Sequence, residues 1–162
     1  MSSNKLRILR VISWMLFLGW AVVCVFLSQQ DGVASDELSA TTTRAFVRFT
    51  SIFGFYPQNA HALHAVIREF AHFFTHFVLA MFAGLAFVAS FRKLKPALGW
   101  SSTVSTVAAI FDELSQFLSN GRGVELLDLG LNLLGVALGT LFIWFSIKII
   151  RSISTSKSNR NT

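Results

Sequence analysis

Four apolar stretches, roughly 11–28, 63–91, 97–118 and 126–150, govern what this chain can become. Each approaches the ~20 residues that an α-helix needs to cross the hydrocarbon of a bilayer. Within lipid a backbone must satisfy its own N–H and C=O groups, which leaves a spanning segment of this length little choice but helix. The expected fold class is therefore all-α: a polytopic membrane protein of four transmembrane helices, forming a single domain over 1–162. Composition agrees, since 53% of the residues are apolar, 17 are Phe and only 14% are charged. A soluble domain carries more charge and fewer aromatics.

The net charge of +6 would suit a nucleic-acid partner, but the charges flank the apolar segments instead of forming a patch. No nucleic acid is expected; the partners are membrane lipids. Orientation follows from the basic residues. Lys5, Arg7, Arg10, Arg92, Lys93, Lys95, Lys148, Arg151, Lys157 and Arg160 are ten of the 14 Lys and Arg, and an even number of spans puts them all on one side. None of the eight acidic residues joins them. By the positive-inside rule that side is cytoplasmic, which places both termini inside a cell membrane. A cleaved signal peptide, with Val33 and Ser35 as the cleavage positions, competes for the first stretch, but its apolar run exceeds the usual h-region.

Between the first two spans the chain is polar from Gln29 to Thr43, which reads as an external loop. From 41 to 56 it becomes amphipathic: Phe46, Phe49 and Phe53 recur at helical spacing against Arg44 and Arg48. This piece is too short and too basic to span, and reads as a short interfacial helix ended by Pro57. The turn Ser119-Asn120-Gly121-Arg122-Gly123 breaks the chain before the last span. The Ser- and Lys-rich tail 152–162 reads as disordered. Cys24, the single cysteine, cannot form an internal disulfide and reads as a small buried side chain.

Ionisable residues inside the spans carry the functional signal. On the second span His61, His64, Arg68, His72 and His76 are spaced 3, 4, 4 and 4, within an arc of roughly 120°. Asp112, Glu113 and Gln116 lie near the outer end of the third span, and Asp128 and Asn132 near that of the fourth, continued by Gly135 and Gly139. All fall in the outer half of the bilayer. A charge in hydrocarbon costs ~2.5–3.5 kcal/mol on insertion scales, so these groups should face one another. Arg68 and Arg122 are the strong cations available to Glu69, Asp112, Glu113 and Asp128. Interhelical polar contacts also serve as structural glue, and Gly135-x-x-x-Gly139 is a close-packing device and a weak hint of a homo-oligomer. Glue alone gives no reason for the one-sidedness.

Arg68-x-x-x-His72-Phe73 with Ala71 resembles the R-K-x-A-H-F signature of the VanZ-like family, named for a membrane protein associated with teicoplanin resistance. Asp112-Glu113-x-x-Gln116-Phe117, Gly121-Arg122, then Asp128, Asn132, Gly135 and Gly139 is similar to its second block, and Ser28-Gln29 to its short motif after the first helix. The resemblance covers essentially the whole chain. Glu69 and His76 depart from it, standing where the family often has a basic residue and a Tyr. The resemblance implies a role at the cell envelope, with antibiotic resistance as one possible context.

Two functions of different class fit these residues. In the first, an outward-facing site binds an envelope ligand: a lipid headgroup, a cell-wall precursor or a glycopeptide. Arg68 and Arg122 contact phosphate or carboxylate there, positioned among His72, Asp112, Glu113, Gln116, Asp128 and Asn132. In the second, an intramembrane enzyme acts on a lipid or isoprenoid phosphate, with His72 as base or nucleophile, Asp112 or Glu113 orienting it and Arg122 stabilising charge. Pairing of His72 and His76 at i, i+4 with His61 or His64 would suit zinc, but such spacings arise easily by chance, and no metal or cofactor is expected.

Overall fold

The computed structural model describes residues 3–30, 32–55, 59–91, 93–117 and 125–160. Every element among them is a helix: α1 (Ser3–Ser28), α2 (Gly32–Ser51), α3 (Ala60–Ser90), α4 (Leu94–Phe117) and α5 (Leu126–Arg160). Three segments, Ser3–Ser28, His61–Ser90 and Leu126–Ser154, are long and apolar enough to cross a membrane. The expected third span is α4. It has the length, at 24 residues, but is less apolar, because Ser101, Ser102, Thr103, Ser105 and Thr106 occupy its middle.

α3 is the hub of the bundle, packing most extensively on α5 and then on α1 and α4. Its contact with α5 is close because two glycines permit it. A Cβ on Gly135 would run into the Phe73 carbonyl and stand 2.9 Å from the Phe77 nitrogen, and one on Gly139 would stand 2.5 Å from the Phe77 oxygen. Only a residue without a side chain allows two backbones to approach so nearly. Ala80 of α3, Ala109 of α4 and Val136 of α5 close the centre of this three-helix junction. α1 packs through Phe17 and Cys24 on Leu79, Ala83 and Ala86. Its indoles find acceptors across the seam, Trp14 Nε1 donating to Ser90 Oγ at 3.0 Å and Trp20 Nε1 to the Thr75 carbonyl at 2.9 Å. The outer surface is studded with exposed apolar residues, among them Phe70, Trp100, Phe111, Phe142 and Phe145, as a lipid-facing bundle requires.

Three local readings change. The stretch expected to be a polar loop, Gln29–Thr43, is helical from Gly32 on, since α2 starts nine residues before the expected position 41. Ala34, Leu38 and Ala40 are good helix formers. α2 ends at Ser51, ahead of Pro57, which lies outside the described residues. Gly54 takes a positive φ of 75° while its N–H bonds to the Ser51 carbonyl and the Phe55 N–H to that of Thr50, a glycine-terminated Schellman cap. α5 continues to Arg160 through the segment expected to be disordered. No Gly or Pro follows Gly139 to stop it.

Candidate functional site

The stripe on α3 meets α4 and α5 on successive turns. His76 Nε2 lies 3.3 Å from Asp112 Oδ2 of α4, and His72 Nε2 lies 3.4 Å from Asp128 Oδ2 of α5. Gln116 Nε2 also donates to Asp112 Oδ2, at 3.2 Å, from the next turn of α4. His76 is only 1% exposed. One helix thus carries two histidines four residues apart, each facing a carboxylate from a different neighbour, which ties three helices together over two successive turns.

These polar residues divide into two groups. Arg68, His72, His76, Asp112 and Gln116 line a cavity of about 100 Å³ where α1, α3 and α4 meet beneath the N-terminal half of α2. That volume holds several water molecules. Cys24, Leu27 and Ser28 of α1 form one wall, and Ser35, Leu38 and Ser39 of α2 cover it. Ser28 is fixed there by its Oγ, 3.1 Å from the Asp112 carbonyl and 2.9 Å from Ser115 Oγ. Arg68 stands toward the N-terminal end of α3 with its side chain 35% exposed.

Glu113, Asp128 and Asn132 form the other group, buried in the helix packing and absent from the cavity lining. Glu113 Oε1 accepts the backbone N–H of Glu125 at 2.7 Å. It places a carboxylate at the start of α5, where the helix leaves N–H groups unsatisfied and its dipole favours negative charge. Among the described residues, fully buried Asn132 has no hydrogen-bond partner for either end of its amide, and Glu113 Oε2 and Asp128 Oδ1 have none either.

A family model described as VanZ/LLP1 matches residues 13–150. The chain belongs to the VanZ/LLP1 family. The match spans α1 through most of α5 and so takes in both groups of polar residues. Neither the curated proteins nor the solved structures contain a match to this chain.

Several expected partnerships are redrawn. In place of the expected Glu69, Asp112, Glu113 or Asp128, Arg68 Nη2 donates to Glu125 Oε2 at 3.1 Å. Glu125 drew no attention in the sequence because it belongs to no motif, and only the approach of the α5 N-terminus to α3 reveals it. Asp112, assigned with Glu113 to orient His72, is met by His76, and Glu113 bonds to the α5 backbone. His76 enters the site although it departs from the family pattern, and Ser28 enters from α1. Arg122 lies outside the described residues. His61 and His64 stand apart with Arg44 and Thr43 in an open hollow against α2. Among the described residues no three or more His, Cys, Asp or Glu side chains converge as metal ligands would.

Proposed function

We propose that this VanZ-family membrane protein binds a small lipid headgroup in an outward-facing cavity. The observation that carries the reading is the cavity itself, with a half-exposed arginine, Arg68, at one end and His72, His76, Asp112 and Gln116 leading inward. Arginine suits phosphate because its planar fork offers several donors at once. Size selects among the envelope ligands. About 100 Å³ is well below the roughly 300–1,000 Å³ of pockets that enclose drug-sized molecules. A single headgroup therefore suits it better than a glycopeptide or a sugar-bearing cell-wall precursor. A link to teicoplanin resistance would then run through envelope lipid and not through capture of the drug.

In this reading the bundle has four spans, with α4 as the third, sheltered by α3 and α5, and both termini are cytoplasmic. α2 lies in the outer interface with Phe46, Phe49, Ile52 and Phe53 exposed toward lipid and Arg44 and Arg48 beside them, as an interfacial helix does. The cavity then opens at headgroup depth.

Native mass spectrometry of the detergent-solubilised full chain tests the proposal. Arg68→Gln should lose phospholipid retention by about tenfold relative to the unmodified chain, the scale of one charge-assisted hydrogen-bond set. Equal retention in a folded Arg68→Gln protein would remove Arg68 and the cavity from lipid recognition.

A further inference from the structure

We infer that the cavity selects a zwitterionic headgroup bearing a primary ammonium, phosphoethanolamine carried on a lipid, over a purely anionic one. This rests on the headgroup reading above and goes on to name the chemical class. The cavity is not uniformly basic. Its strong cation, Arg68, lies at one end, and a carboxylate, Asp112, lies at the other beside His76 and Gln116.

Asp112 is equipped to receive a donor. Its side-chain hydrogen bonds among the described residues, from His76 and Gln116, both fall on Oδ2. Oδ1 receives neither of these bonds, and the side chain, 13% exposed, borders the cavity. Ser28 Oγ and Gln116 stand nearby as further polar groups. A phosphate would be repelled by Asp112 in this low-dielectric setting, whereas an ammonium would be drawn to it.

Spacing supports the same pairing. Arg68 precedes His76, the residue that meets Asp112, by eight positions on α3, or about 12 Å of helix. A lone phosphate does not cover an interval of that size, so a ligand that engages both ends must carry its phosphate and its ammonium apart, as phosphoethanolamine does. The phosphate meets Arg68 at the rim and the ammonium reaches Asp112, so the acyl chains stay outside in the leaflet. A trimethylated ammonium has no N–H to donate and would lose the inner contact.

The test is competition on the full chain in detergent, read by native mass spectrometry. The probes are phosphatidylethanolamine, phosphatidylglycerol and phosphatidylcholine with matched acyl chains. Retention of the ethanolamine lipid should exceed that of the other two by about tenfold. Asp112→Asn should bring it down to their level, while Arg68→Gln weakens all three. Equal or stronger retention of phosphatidylglycerol by the unmodified chain overturns the inference without any variant, as does an unchanged ethanolamine-to-glycerol ratio in Asp112→Asn. Soluble O-phosphoethanolamine should compete poorly; competition at the same concentration as the lipid would overturn the lipid as source. If all three lipids are retained equally by wild type and Arg68→Gln, the headgroup reading itself fails, an outcome distinct from a lost preference.

Discussion

Glu113 Oε1 of α4 accepts the backbone N–H of Glu125, the residue just ahead of α5, at 2.7 Å. A side chain that looks catalytic in the sequence is therefore joined to the architecture: it ties α4 to the residue just ahead of α5.

Glu113→Ala should lower stability by about 0.5–2 kcal/mol, the cost of removing the side-chain acceptor at a helix start. Glu113→Gln keeps an acceptor oxygen and should lose clearly less. Thermal unfolding of the purified protein in detergent measures both. Equal losses would mean that the acceptor at α5 is not what Glu113 contributes.

Gly135→Ala and Gly139→Ala should each destabilise the bundle by about 1–3 kcal/mol, because the new methyl meets α3 backbone that cannot yield like a side chain. Gly130 has open space around it, and Gly130→Ala should be neutral or stabilising by up to about 1 kcal/mol through helix propensity. The three variants share one helix and one chemical change, so their spread in melting temperature isolates the packing effect.

Glu125→Gln should leave stability within about 1 kcal/mol of wild type. Its ion pair with Arg68 is 3.1 Å long but the two side chains are 35% and 52% exposed, and exposed pairs contribute little. A large drop in melting temperature would show that Arg68 supports the fold, and the lipid assay on Arg68→Gln would then have to be read against that loss.

Cysteine accessibility in a Cys24→Ser background checks the topology. A membrane-impermeant maleimide added to intact cells should label Ser39→Cys on α2 and leave Ser158→Cys unlabelled until the cells are lysed. Labelling of both from outside would mean an odd number of spans, with α4 not crossing.

Helix positions were legible in the sequence because lipid removes the alternatives: an apolar run of sufficient length has only helix to satisfy its backbone. The ends were less so. The start of α2 and the continuation of α5 hang on mild propensities that apolar patterning does not register. Spacing also revealed that Arg68, His72 and His76 share a face of α3, since that is a property of one helix. It could not say that His76 takes Asp112 while His72 faces Asp128, or that Arg68 reaches Glu125. Those pairings depend on how far α4 and α5 are rotated and shifted against α3. For α5 the rotation is fixed by the contact of Gly135 and Gly139 with the backbone at Phe73 and Phe77. The sequence alone thus determined a helical membrane protein with polar groups gathered on three helices. Only tertiary packing decided which of them border a cavity and which are buried between helices, because that division is set by distances between segments far apart in the chain.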